Sequence, residues 1–160
     1  MAGRRQRKRL WVFAAAFLLS TLLQSAAGSA NDRIVADERS GLAISGYDPV
    51  AYFTDKTPVM GVPLLESSYD GVVWRFRNPG NRAAFAADPT VYMPRYGGYD
   101  PVAMARGTSV PGHPLIWLVQ DQHLYLFYDA AARDAFMRDP SRFVAGADQQ
   151  WPGVRHQLAR

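Results

Sequence analysis

Between residues 41 and 152 the apolar positions fall in short blocks, and the blocks come twice in the same order. In the first pass, LLESSY and VVWRF flank Asp70-Gly71 across Leu64 to Phe76, which predicts a β-hairpin. Val72, Trp74 and Phe76 alternate with polar or smaller neighbours, so they share one face of the second strand. A helical pattern follows over Gly80 to Ala87 (GNRAAFAA), opened by Asn78-Pro79. Asp88-Pro89 stops it and starts a shorter helix over Thr90 to Tyr92, and Pro94 with Gly97-Gly98 closes the unit. In the second pass, Leu115 to Val119 (LIWLV) and Leu124 to Tyr128 (LYLFY) predict a hairpin around Asp121-Gln122. Asp129 takes the capping position of Asn78, a helix covers Ala130 to Arg138 (AAARDAFMR), and Asp139-Pro140 opens a last short helix containing Phe143.

The two passes are in register. Asp70 matches Asp121, Phe76 matches Phe127, Phe85 matches Phe136, Asp88 matches Asp139, and Tyr92 matches Phe143, every pair offset by 51. Each pass opens on the same six residues, Gly46-Tyr47-Asp48-Pro49-Val50-Ala51 and Gly98-Tyr99-Asp100-Pro101-Val102-Ala103, offset by 52. Asp is a strong helix N-cap and Pro is favoured at the first helical position. Asp48 is therefore expected to cap a turn over Pro49 to Phe53, and Asp100 one running through Ala105 with Gly107 as C-cap. Five of the eleven prolines follow Asp or Asn in this way, which makes these aspartates caps before they are catalytic acids. Upstream, Gly41 to Ser45 (GLAIS) is a short strand candidate, and Asn31 to Ser40 is a polar lead-in expected to be loosely held. A period of this length indicates duplicated supersecondary units that bury their faces together, because about 50 residues is small for an independent core. The fold class is α+β: two tandem hairpin-plus-helix units, 41–97 and 98–152, packed as one compact pseudo-twofold domain, with a C-terminal tail over 153–160.

Charge changes the picture only once the N-terminus is set aside. Arg4, Arg5, Arg7, Lys8 and Arg9 precede an apolar run of 14 residues, Leu10 to Leu23, and then small residues through Ala30. This is the layout of a signal peptide cleaved after Ala27 or Ala30. The alternative is an uncleaved anchor in the inner membrane over Leu10 to Ala27. Removing those five basic residues from the chain's 18 leaves 13 against 14 Asp and Glu, a net of −1. That balance leaves no basic surplus for nucleic acid. The chain has no cysteine, so disulfides, thiolate metal ligands and a cysteine nucleophile are all excluded.

The order Asp-Pro-Val, aromatic hairpin, then a helix ending Phe-x-x-Asp-Pro-x-x-Tyr resembles the YHS domain family. It stands here as Asp48-Pro49-Val50, Trp74-Arg75-Phe76 and Phe85 to Tyr92, and again as Asp100-Pro101-Val102, Tyr125-Leu126-Phe127 and Phe136 to Phe143. The opening Gly41 to Phe53 is similar to exported bacterial members in particular. The resemblance implies the fold and a place in the cell envelope, and no settled activity. Metal-associated members carry a cysteine after Asp-Pro-Val and two near the helix start. Those positions are Ala51, Arg77 and Asn81 in the first unit and Ala103, Tyr128 and Ala132 in the second. No soft ligand stands at any of them, so a thiolate metal site is not expected.

The remaining chemistry is sparse. His113, His123 and His156 have no i, i+4 partner; the first two read as loop residues and the third as part of a frayed tail. A hard-metal site would need Asp48 and Asp100 brought together. No nucleophile elbow or phosphate loop occurs, so no catalytic residues are assigned and no enzyme is expected. Tyr47, Tyr96 and Tyr99, beside Asp48 and Asp100, are the candidate ligand-binding residues, as the lining of a small pocket where the units meet. Their bland alternative is a set of core aromatics. Trp74 and Trp117 read as core, and Trp151-Pro152 as docking the C-terminal end. The expected function is a non-catalytic exported binding module without a cofactor, whose partner is a small ligand or an envelope protein. The alternative is a periplasmic metal-binding or metal-responsive protein using Asp and His ligands.

Overall fold

The computed structural model describes residues 33–158, and the expected signal peptide lies outside the described residues. Within them the fold is α+β, built from two separate antiparallel hairpins and six helices. The first unit runs α1 (Ala51–Thr54), β1 (Val62–Tyr69), β2 (Val72–Phe76), α2 (Pro79–Ala87) and α3 (Pro89–Tyr92). The second runs α4 (Pro101–Met104), β3 (His113–Gln120), β4 (His123–Phe127), α5 (Ala130–Arg138) and α6 (Pro140–Gln157).

Both hairpin turns are made by two residues at positive φ, Asp70 and Gly71 in the first and Asp121 and Gln122 in the second. That conformation matches the twist of the flanking strands. Each hairpin also breaks register at the same place, between Val62 and Glu66 and between His113 and Trp117. The expected caps form. Asn78, Asp88, Asp129 and Asp139 each accept a backbone N–H from the first turn of the helix they precede. The core packing repeats as well. Phe85 of α2 lies 5.0 Å from the Trp74 ring and 5.2 Å from the Phe76 ring, while Phe136 of α5 lies 4.9 Å from Tyr125 and 5.3 Å from Phe127.

What joins the units is β4. A strand sends successive side chains to opposite faces, and here both faces are buried. Leu124 and Leu126 enter the first unit's core with Trp74, Phe76 and Phe85. Tyr125 and Phe127 enter the second unit's core with Phe136 and Met104. One strand therefore closes two cores.

Three expectations are corrected. The lead-in is not loose: Ile34 is buried in the first core, Val35 N–H donates to Gly97 O, and Val35 O accepts from Ile44 N–H. A polar composition hid three apolar side chains that tertiary packing uses, Ile34 and Ala36 on the first core and Val35 on the second. GLAIS makes only isolated bridges at Leu42 and Ala43, then a 3-10 turn over Ile44–Gly46. The positive φ at Ile44 and Ser45 reverses the chain where apolar alternation predicts extension. The same turn recurs at Arg95–Gly98, with Tyr96, Gly97 and Gly98 at positive φ. Finally, the last helix is long. In the first unit Pro94 follows Tyr92 by two residues and prevents continuation. Its counterpart in the second unit is Ala145, so α6 runs for 18 residues through Trp151 and Pro152, carrying Val144, Ala147 and Val154 onto the second core. Residues 153–157 and His156 thus belong to a helix, not a frayed tail.

Candidate functional site

The two aspartates of the repeated motif are buried structural centres. Asp48 is fully buried; its Oδ1 accepts from Val50 N at 2.9 Å and Ala51 N at 3.4 Å, fixing the turn that leads into α1, whose N-cap is Val50. Its Oδ2 accepts from Arg77 N at 2.8 Å and Asn81 Nδ2 at 2.7 Å, tying α1 to the end of β2 and the start of α2. Asp100 repeats this with Val102 N at 2.7 Å, Ala103 N at 3.1 Å and Tyr128 N at 2.8 Å. It lacks the fourth donor because Ala132 stands where Asn81 does. Every oxygen of both carboxylates faces N–H groups, four at Asp48 and three at Asp100, so both act as hydrogen-bond hubs.

The structure does not gather the candidate tyrosines into one pocket. Tyr96 and Tyr99 are buried against Trp151, with ring centroids 6.1 and 6.3 Å away. The Tyr96 hydroxyl donates to Asp148 Oδ1 at 2.9 Å, and Arg95 grips both oxygens of that carboxylate at 2.9 and 3.0 Å. Burial, and then the bond to Asp148, push the Tyr96 phenol above its ordinary range. Tyr96 borders one cavity of about 570 Å³, Tyr99 another of about 400 Å³, and Tyr47 a third of about 440 Å³ beside Tyr128 and His113. His113 and His123 stand exposed at the starts of β3 and β4, and among the described residues no three His, Asp or Glu side chains are grouped to hold a metal ion.

A larger groove of about 730 Å³ opens where the units meet. Its walls are Tyr52 and Phe53 of α1, Lys56 just beyond, Trp117, Leu118 and Val119 of β3, and Arg133, Asp134 and Met137 of α5. The wall on α1 exists because Asp48 starts that helix, and the ion pair between Arg77 and Asp55 holds its end. Tyr52 is fully buried; its hydroxyl donates to the Pro114 carbonyl at 2.9 Å and its ring meets Trp117 edge-on at 5.3 Å. Burial, then the neighbouring Tyr47 and Asp48, push its phenol well up, so it stays neutral and holds the units together. Phe53 lies edge-on to Tyr92 at 5.6 Å. Arg133, Asp134 and Met137 share one face of α5 by their i, i+3 and i+4 spacing. Met137 is 56% exposed. Arg133 Nε is buried without a hydrogen-bond partner, 3.9 Å from Asp134 Oδ1. No Ser, Thr, Cys or His lines the groove.

Beside α4, the counterpart of α1, α6 packs instead. Gly146 approaches so closely that a Cβ there would meet Ala105 Cβ at 3.0 Å. Most of the groove residues carried one unread signal: apart from Arg133, which repeats Arg82, they stand where the repeat breaks. Trp117 replaces Glu66, Asp134 replaces Ala83, Met137 replaces Ala86, and Tyr52 and Phe53 stand opposite Met104 and Ala105.

Compared with known proteins, the chain matches no family model, no curated protein and no solved structure.

Proposed function

We propose that the protein is a non-catalytic binding module of the YHS type, exported to the cell envelope, which holds a small ligand in the groove between its two units. The observation that carries this reading is the groove: an apolar floor with a few charged groups at its edge, of a size common to small-molecule sites. The lining supports binding over catalysis. It holds no Ser, Thr, Cys or His, and its one buried phenol is engaged with Pro114 and raised away from neutral titration. The doubled motif, the shared β4 and the N-terminal layout support the YHS-type and exported parts of the reading.

The test is titration of the purified protein with two fluorescent apolar probes, neutral N-phenyl-1-naphthylamine and anionic 1-anilinonaphthalene-8-sulfonate. The expected result is saturable binding of at least one probe to the folded protein, lost in Met137→Arg, which fills the groove from an exposed position. If neither probe binds saturably, or if Met137→Arg binds as the parent does, the groove is not a ligand site.

A further inference from the structure

Resting on the reading of the groove as a ligand site, we propose that its ligand is an amphipathic monoanion: an apolar body carrying one carboxylate. The body is specified by the floor, where Trp117, Phe53 and Met137 present ring and thioether surface between the units. The head is specified by the edge. Lys56 makes no ion pair or hydrogen bond among the described residues, although it lines the groove. Arg133 has its Nε–H buried and unsatisfied, and Asp134, 3.9 Å away, is beyond hydrogen-bond reach. A buried guanidinium N–H without an acceptor is unfavourable as it stands. A carboxylate laid against it would accept that bond in the fork geometry guanidinium favours. The charges count in the same direction. Two cations and one carboxylate line the groove, a net of +1 that one negative charge neutralises. A cation offers that N–H no acceptor, and a neutral acceptor would take the bond but leave the net positive charge unbalanced.

The experiment is calorimetric titration of the purified protein, at low salt, with three probes sharing one ring system: 2-naphthoate, 2-naphthamide and 2-naphthylmethylammonium. Decanoate and decanamide form a second arm that separates an aromatic from an aliphatic body. In at least one arm the carboxylate is expected to bind about tenfold or more tighter than its amide, the order of one charge-assisted hydrogen bond. That preference should weaken as salt rises. Arg133→Gln should weaken the carboxylate by a similar factor and the amide by clearly less, and Lys56→Gln, at an exposed position, should reduce the carboxylate by a smaller factor. Far-UV circular dichroism confirms that both variants are folded. Equal affinity for carboxylate and amide in both arms overturns the inference while leaving the groove a ligand site. So does an Arg133→Gln variant that binds 2-naphthoate and decanoate as the parent does. Absence of binding by every probe, the two fluorescent ones included, removes both readings together.

Discussion

Asp48→Asn and Asp100→Asn look like the same substitution in two copies of one motif, yet the structure makes them unequal. An asparagine has one acceptor oxygen and one donor NH2 where the aspartate has two acceptor oxygens. At position 48 an amide that keeps its oxygen on Val50 N and Ala51 N opposes Arg77 N, and Asn81 Nδ2 also loses its charged acceptor, since the Asn81 amide must turn over to accept instead. At position 100 the amide can keep its oxygen on Val102 N and Ala103 N and oppose only Tyr128 N. With about 1.5–2.5 kcal/mol for each buried donor that loses a charged acceptor, Asp48→Asn costs about 3–5 kcal/mol and Asp100→Asn about 2 kcal/mol. For a domain of this size that difference is a fall in Tm of about 15 °C against about 8 °C. Urea unfolding followed by tryptophan fluorescence gives the free energies directly. The extra cost should be traceable to Asn81, so in an Asn81→Ala background the penalty of Asp48→Asn drops by about 1–2 kcal/mol. Equal urea midpoints for the two Asn variants, or a gap that persists without Asn81, would refute the account of the motif as a buried hydrogen-bond hub.

Three further outcomes are expected. Tyr52, Tyr96 and Tyr125 all have phenols raised above their ordinary value, chiefly by burial. Above about pH 10 the unfolded chain therefore releases protons that the folded chain keeps. The tyrosine contribution to stability should be flat below that pH and decline above it, and absorbance at 295 nm should show fewer than the chain's eight tyrosines ionising before unfolding; ionisation of all eight near pH 10 with the fold intact contradicts this. Gly97→Ala should cost about 3 kcal/mol or more, because its Cβ would fall 1.8 Å from Arg33 O at a φ of +65°. Gly41→Ala, at φ +67° with nothing within 4 Å, should cost only about 1 kcal/mol, and similar losses for the two would mean that the lead-in is not clamped against Gly97. N-terminal sequencing of the protein purified from its producing cell should begin at Gly28 or Asn31, whereas a chain beginning at Met1 favours the membrane anchor.

The local signals were legible because each acts over a few residues. An Asp or Asn before a helix accepts the first free N–H wherever it stands, and Asp70-Gly71 turns a hairpin by its own φ angles. The 51-residue offset carried the same elements into the second unit and placed Phe136 correctly by analogy with Phe85. Absence of a breaker is a weaker signal than its presence. Pro94 announces the end of α3, but nothing at Ala145 announces that α6 will run to Gln157.

The chain by itself determined the repeated order of elements, their caps and the residues able to form each core, since these depend on side-chain type and short spacing. Only the tertiary structure decided that β4 feeds both cores, that Ile34 is clamped beneath the first, and that Tyr52 reaches across to Pro114. It also decided where a ligand site could lie. The tyrosines beside the doubled motif separate into three cavities, and the groove forms instead where the copies differ. The reason is physical: the matched apolar positions face inward and are used up by packing. A surface between two packed units is made by whichever unmatched residues long-range docking leaves uncovered, and neither periodicity nor spacing records that.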